Sequence, residues 1–563
     1  MTPRPCILAM GPLLLILAAE PPATADDPAK SEKPAGSKPA PTVGQRPVVR
    51  VTISRETTRI TGPLKPDGYV DYVTALDQHF KKGVTPENNA AVLFWKAMGP
   101  GPLGKQREEY CRKLGIPPLP ENGHYFIPFD KYIEANRGEK SYQELMKQYN
   151  ETFQRPWTAK EFPLLADWLK ANQEPLALVV EASRRPRRYD PLLFDKTKMV
   201  IWILLPGLQS YRSSVYVLSM RAMLRLEKGQ MEEAWDDLLA CHRLARLAGQ
   251  GLTLIDALVG ISIETIACTG DQAMVQSGRL TAKQARKMQD DLAKLAPMLR
   301  MADKIDLAER FLFLDCTQSC AQHGFSMLRT IENAVTLTEG LAMLMGLEAG
   351  RGPGVIIEKF LQEVTDWLGQ VCTDWDFVLL MGNLYFDQMV EAVYLPTRDQ
   401  RTVSLRMIDM ACHEAKATAL DPGSLQLSEL LNPQKAVSKR VGKYLVGLLI
   451  TSVLKVADAE DRAAMLLDLD RLAFALTVYR ADHGSFPAKL ADLAPRYMSR
   501  IPTDIFNNKD LHYRREGSGF LLYSVGVNGF DDGGKSRQDG TAEYDWQDDL
   551  VFRVPARTQE KKP

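Results

Sequence analysis

Apolar residues recur at three- and four-residue spacing through most of the stretch from about Leu204 to Leu431. This spacing puts apolar side chains on one face of an α-helix, because the helix turns once every 3.6 residues. Helices with such faces bury them by packing against one another. The sequence therefore predicts a mainly α protein with an α-helical array, which we place at residues 204–455.

The clearest unit of this array runs from Ser213 to Leu247. One apolar helix ends near Gly229, and a second begins at Met231. The spacing of Gly229 to Ala234 resembles the helix-turn-helix of a tetratricopeptide repeat, in which the glycine permits the turn and the alanine lets the helices pack closely. No further copies follow at a period of 34 residues, so an ordinary helical hairpin fits this pattern equally well.

Residues 1–25 have the pattern of a secretory signal peptide, because Arg4 precedes an apolar run from Ile7 to Ala19 and an A-x-A arrangement ends at Ala25. The run of about 13 residues is short of the roughly 20 that cross a bilayer as a helix. We expect export by a bacterial cell to the periplasm or the medium, with a mature chain that starts near Asp26. An uncleaved membrane anchor is the alternative.

Residues 26–47 contain no aromatic residue, leucine or isoleucine, so we predict a disordered tether rich in proline, alanine and lysine. Residues 48–203 form a mixed, mostly helical N-terminal region, with one predicted strand at Val48–Ile53. Residues 556–563 form a predicted disordered tail.

The charge balance excludes some classes of partner. Lysine plus arginine and aspartate plus glutamate both number 70, so no basic excess is present to neutralise a nucleic acid or an anionic membrane. With 45% hydrophobic and 25% charged residues, the composition is typical of a globular protein. We expect no nucleic-acid partner and no integral membrane span after signal cleavage.

Seven cysteines remain after the predicted cleavage, an odd number spread over about 300 residues, and they do not form a disulfide framework. Cys316 and Cys320 lie four residues apart within a helical pattern, which puts them on one face. We interpret them as core residues, since a free cysteine packs as a small hydrophobe. A disulfide between them is the alternative in an oxidising compartment.

The chain lacks recognisable catalytic motifs. Its seven histidines do not repeat at metal-ligand spacing, and no G-x-S-x-G, Walker A or H-E-x-x-H motif occurs. Asp236-Asp237 and Asp290-Asp291 are adjacent acidic pairs whose side chains diverge by about 100° on a helix, so we interpret both pairs as solvated. The sequence predicts no catalytic residue and no organic cofactor.

The last part of the chain, residues 456–555, has the pattern of an α+β module. Leu469, Leu472, Leu476 and Tyr479 form one apolar stripe on a predicted helix. A loop and a short helical turn at Leu490–Leu493 follow, and then three candidate strands at Leu511–Arg515, Phe520–Val525 and Leu550–Val554. The economical packing is one long helix on a small antiparallel sheet, because neither element hides its apolar face alone.

Three ordered motifs carry a resemblance to a known family, namely LAFALTVYRADHGSFPAKLADL, IPTDIFNN followed by LHYR, and LYSVGVNGFDDGG. Over roughly 95 of the 563 residues, the chain resembles the globular part of the major pseudopilin of type II secretion systems. The resemblance implies a helix on a small antiparallel sheet, and a calcium-binding loop after the S-x-G turn. The chain departs from the family because the module stands at the C-terminus and no prepilin-peptidase site with a long apolar helix opens the chain. The other residues resemble only uncharacterised exported bacterial proteins.

We call Asn528–Asp549 the acidic loop, because its seven acidic and two basic residues give a net charge of about −5. Calcium binds six to eight hard oxygen ligands, and such a loop supplies them. The family resemblance places Asn528 at a ligand position, and we add Asp531, Asp532 and Asp549 as candidate metal ligands. A merely solvated loop is the alternative.

From these patterns we expect an exported, non-catalytic interaction or structural protein of the bacterial periplasm or cell envelope, with a pseudopilin-like calcium-binding module and a protein partner. The alternative is a hydrolase of an unfamiliar family, whose site is assembled from residues far apart in sequence. A pocket with converging titratable groups would favour that alternative.

Overall fold

The computed structural model describes residues 51–136, 138, 141–193, 199–202, 207–298, 300–324, 327–328, 331–332, 372–419, 432–450, 452–536, 541, 544 and 547–555. The predicted signal peptide (1–25), the tether (26–47) and the tail (556–563) lie outside these residues. The described chain is mainly helical, with one small sheet near the C-terminus, as predicted.

The described part of the N-terminal region contains seven short α-helices: α1 Tyr72–Lys81, α2 Ala90–Met98, α3 Arg107–Leu114, α4 Phe129–Asn136, α5 Tyr142–Thr152, α6 Pro163–Ala171 and α7 Gln173–Ser183. Side-chain caps set several starts, since Asp71 accepts a hydrogen bond from the Thr74 amide and Ser141 from the Glu144 amide. The strand predicted at Val48–Ile53 is wrong where it is described, because residues 51–53 are not in a strand. Val51 instead packs in a core of helices.

The first half of the central array consists of α8 Leu208–Glu227, α9 Met231–Gly249, α10 Leu254–Gln276 and α11 Ala282–Ala293. Helices α8 and α9 form the predicted hairpin, with Gly229 at φ +77° in the turn and Ala234 fully buried. Helices α9 and α10 cross closely at Gly260, where an added Cβ would lie 2.7 Å from the Ala245 carbonyl oxygen. A glycine is therefore required at this crossing.

The second half of the array begins with α12 Met301–Lys304, a π-helical turn Ile305–Glu309 and α13 Arg310–His323, and continues with α14 Trp375–Val393, α15 Arg398–Ala419 and α16 Pro433–Leu449. Cys316 and Cys320 are buried free thiols in its core, as the core interpretation predicted. Burial raises the pKa of both thiols. They act as packing residues.

The C-terminal module contains α17 Val453–His483, a 3₁₀ turn Leu490–Leu493, and strands β1 His512–Glu516, β2 Gly519–Ser524 and β3 Leu550–Val554. The sheet is antiparallel in the order β1-β2-β3, and Leu522 is paired with Tyr513 on one side and Phe552 on the other. The outer edge of β3 is covered by α10, where Gln276 Nε2 donates to the Arg553 carbonyl oxygen at 2.8 Å. The array thus covers an edge that would otherwise pair with other chains.

Helix α17 is buried on more than the predicted stripe. Leu469, Leu472 and Leu476 are buried as expected, but Phe474 and Ala475 are also fully buried, and one hydrophobic core spans helices of the array, α17 and the sheet. Among the described helices, none is both long and apolar enough to cross a membrane. The helix that forms the module is therefore also a packing element of the array.

Candidate functional site

The acidic loop begins where β2 ends, and a buried carboxylate holds its base. Asp504 accepts hydrogen bonds from the Ser524 hydroxyl and the Val525 amide, both at 2.9 Å. Gly526, Gly529, Gly533 and Gly534 all have φ between +69° and +74°, a region that favours glycine. The loop turns back on itself and reaches the start of β3.

Hydrogen bonds link three of the predicted metal ligands, Asn528, Asp532 and Asp549, whereas the Asp531 carboxylate bonds to Tyr523 and Gly533. The Asp549 carboxylate accepts hydrogen bonds from the amides of Gly534 at 2.8 Å and Asp532 at 3.4 Å. Asn528 Nδ2 donates to Asp532 Oδ2 at 3.1 Å. Asp531 Oδ1 accepts from the Tyr523 hydroxyl at 3.0 Å and the Gly533 amide at 2.9 Å. Carboxylates that are apart in sequence therefore line one loop and accept hydrogen bonds from its backbone.

The loop carries unfavourable charge. Burial raises the pKa of Asp549 to about 6; two backbone amides oppose this shift, and the charges of Asp532 and Asp531 add to it. Burial also raises the pKa of Asp548, although Arg462 lies 3.5 Å from its Oδ2. The backbone amides of Val527 and Asn528 oppose this shift of the Asp548 pKa. The raised values indicate that Asp548 and Asp549 lack full compensation. For Asp531, burial is outweighed by hydrogen bonds from Gly533 and Tyr523, and its pKa is lowered.

No three or more histidine, cysteine, aspartate or glutamate side chains in the described part of the chain converge closely enough to hold a metal ion. The donor set itself consists of oxygens, which suits calcium, but the loop oxygens point toward its own amide groups. Asp539, Glu543 and Asp545 lie outside the described residues. The calcium site at Asn528, Asp531, Asp532 and Asp549 stays a prediction.

A second group of titratable residues, the buried polar cluster, was not predicted. It contains His242 and Arg246 from α9, Glu264, Cys268 and Asp271 from α10, and Asp470 from α17. His242 Nε2 lies 3.0 Å from Asp271 Oδ2, and His242 Nδ1 lies 3.2 Å from Glu264 Oε2. Arg246 forms an ion pair with the same Glu264 carboxylate. The cluster thus joins the array to the module helix.

The environment of the cluster shifts its pKa values strongly. Burial lowers the pKa of His242, but the carboxylates of Glu264 and Asp271 outweigh this and raise it to about 10. Burial raises the pKa of Glu264, but His242 and Arg246 outweigh it and lower the value to about 2. Burial, reinforced by the charge of Asp271, holds the pKa of Asp470 well above its usual value. These shifts favour an ion pair between His242 and Glu264 and the protonated form of Asp470.

One sequence signal pointed to this cluster. Glu264, Cys268 and Asp271 follow one another at four- and three-residue spacing on an otherwise apolar helix, so they share one face. A charged helix face is buried only where side chains of opposite charge pair with it. His242 and Arg246 lie four residues apart on α9, so both can contact this face of α10. The sequence did not predict the cluster, because His242 is not at metal-ligand spacing from any other histidine.

The solvated interpretation of the acidic pairs is partly wrong. Asp236 is exposed, but Asp237 is almost fully buried. Its carboxylate lies 2.6 Å from both Arg221 Nη2 and Arg225 Nη1 of α8. Asp290 is exposed, and Asp291 is half-buried against Trp235, whose Nε1 donates to it at 3.0 Å. Asp237 therefore links α9 to α8, and Asp291 links α11 to α9.

An open concavity of about 500 Å³ is lined by Arg55, Arg59, Ile60, Thr61 and Gly62. Arg59 is paired with Asp306 at 3.3 Å, so part of its charge is already compensated. Among the described residues that line it, no acid, histidine or nucleophilic thiol converges with these arginines. This concavity does not supply the constellation that a hydrolase would need.

Comparison with protein-family models, curated proteins and solved structures finds no match for this chain. The fold and the sites therefore define a class only at the level of architecture: a helical array that shares a long helix with a small antiparallel sheet.

Proposed function

We propose that this protein is an exported, non-catalytic interaction protein of the bacterial periplasm or cell envelope, and that its C-terminal module is pseudopilin-like and binds calcium. The order of a long helix, a short turn and three antiparallel strands supports the pseudopilin-like assignment. The α8–α9 hairpin is compatible with a tetratricopeptide-like unit, an array type that commonly binds proteins.

One observation carries the interaction role. Leu380, Leu384, Val403, Met407 and Met410 are 45–67% exposed, and we call them the apolar helical face of α14 and α15. Their spacing of three and four residues aligns them along each helix. Single exposed apolar residues are common, but rows of them on consecutive helices favour a binding surface. We propose a protein partner at this face.

The acidic loop supports the calcium role. Burial, with a smaller contribution from the charges of Asp532 and Asp531, raises the pKa of Asp549, and a bound divalent cation would offset both effects. Asn528, Asp531, Asp532 and Asp549 would hold the ion. When bound, calcium would supply a charge centre that fixes the loop against β2 and β3. The residues themselves already set the loop's shape through backbone hydrogen bonds.

The interaction role is tested with a photo-crosslinking residue placed at Met407 in exported protein. A matched variant carries it at Glu232, an exposed position on α9 of the same array. We expect discrete adducts from envelope fractions at position 407 and none at position 232. Absence of adducts at 407, or the same adducts at both positions, would contradict a specific surface.

A further inference from the structure

Asp470 projects from α17 into the central array and is only 2% exposed. The groups that face it are Cys268, Asp271 and Glu264 on α10 and His242 on α9. It shares a hydrogen bond with the Cys268 thiol, and its Oδ2 has no partner among the described residues. An acid of the module is therefore enclosed by the array.

The charge count of the cluster leaves one carboxyl in excess. His242 and Arg246 supply two cations, whereas Glu264, Asp271 and Asp470 supply three carboxyl groups. On α17, the nearby Asp468 and Arg471 pair with each other at 3.5 Å, and Arg471 also donates to the Leu292 carbonyl oxygen of α11, so they add no net charge. A buried cluster with an uncompensated anion is unfavourable. The cluster is neutral only when one proton stays on its carboxyl groups.

This proton lies where α17 of the C-terminal module packs against α10 of the array, so it affects the contact between these two helices. Asp470 belongs to the helix that carries the sheet of the module, and the cations belong to α9 of the array. Ionising the extra carboxyl would place an unpaired anion between α10 and α17. The charge can be relieved by moving the two helices apart and admitting water.

We propose that the buried polar cluster is a proton-dependent latch, in which a proton held by Asp470 keeps α17 packed on α10. Alkaline conditions remove that proton and loosen the contact between α10 and α17. This role is independent of calcium binding and of the apolar helical face.

Proton linkage gives the direction and size of the effect. When α17 parts from α10 and water enters, Asp470 returns to an aspartate-like pKa near 3.9 and releases its proton at neutral pH. Docking therefore takes up one proton, and its equilibrium constant falls about tenfold for each unit by which the pH rises, up to the raised pKa of the docked state. Below about pH 4 the effect vanishes, because both states hold the proton.

The test is amide hydrogen exchange of the full mature chain from about pH 5.5 to 8.5, corrected for intrinsic exchange rates. We expect protection in α10 and in the part of α17 around Asp470 to fall by up to about tenfold per pH unit. Asp470→Asn imitates the neutral acid and should abolish this slope. Asp290→Asn, an exposed change on α11, should keep the wild-type slope. Equal slopes in wild type and Asp470→Asn would overturn the latch.

A second measurement does not depend on the variant's stability. In the Glu460→Gln protein, which lacks the carboxyl whose pKa is about 7, the infrared C=O stretch of a protonated carboxylic acid should be visible at pH 7 and should disappear as the pH is raised, together with the protection. Absence of this band at pH 7 would overturn the proposal. Failure of Asp470→Asn to fold would count against it too, because the amide has the shape of the neutral acid.

Discussion

The ring of Phe474 lies edge-on to that of Trp235, with centroids 5.7 Å apart and an interplanar angle of 78°. Phe474 belongs to the module helix α17, and Trp235 belongs to α9 of the array. Both side chains are fully buried, so this contact joins the two parts through one continuous core. The module and the array are therefore expected to unfold together.

Phe474→Ala should destabilise the whole protein by about 3 to 5 kcal/mol, because it removes a buried aromatic ring and leaves a cavity. Urea unfolding followed by tryptophan fluorescence and by circular dichroism measures the loss and shows whether the two transitions coincide. Phe530→Ala is the control, since Phe530 is 72% exposed. A loss confined to the sheet, with the array unaffected, would contradict a shared core.

Glu264→Gln should cost about 3 to 5 kcal/mol, because it leaves Arg246 without its buried carboxylate partner and His242 with Asp271 alone. The measurement is chemical unfolding at pH 7, where the pKa values of about 10 for His242 and about 2 for Glu264 keep both groups charged. Glu232→Gln, on the exposed side of α9, should change stability by less than about 0.5 kcal/mol. Similar effects of the two changes would show that the cluster is not an ion-pair network.

The free energy of unfolding should fall as the pH rises from about 4.5 to 7, because burial raises the pKa of Glu460 to about 7. In that window the unfolded chain releases the Glu460 proton while the folded protein retains it, so higher pH favours unfolding. We expect a loss on the order of 1 to 3 kcal/mol, since Glu460 is partly exposed. Glu460→Gln should flatten the profile of urea unfolding against pH, measured with EDTA present. An unchanged profile in Glu460→Gln would assign the dependence to other groups.

Periodicity predicted the elements of the module closely, because local sequence determines them. The predicted strand at Leu550–Val554 and the turn at Leu490–Leu493 have the bounds found in the structure. The predicted strand at Val48–Ile53 failed where it is described, since alternation alone does not supply a partner strand. The predicted apolar stripe of α17 included Leu472, which is buried, but did not include Phe474, which is also buried. A helix that is buried on several faces has no single apolar stripe.

The sites were harder to predict than the elements. The aspartates of the acidic loop are close in sequence, so their meeting could be expected. Asp470 is some 200 residues from Asp271, and only the packing of α17 on α10 brings them together. The sequence predicts a solvated Asp237, because a charged residue on a helix usually faces water. Its burial depends on two arginines of the preceding helix, which sequence spacing alone did not identify.

Calcium binding by the C-terminal module is tested most directly by thermal unfolding of the mature chain, residues 26–563, in calcium and in EDTA. Binding to the native state alone should stabilise it by roughly 2.7 kcal/mol at a hundredfold excess of calcium over Kd, and so raise the melting temperature. Asp549→Asn should remove most of this increase, whereas Asp236→Asn, on the exposed side of α9, should retain it. Equal melting temperatures of the wild-type protein in millimolar calcium and in EDTA would contradict a calcium site in the acidic loop.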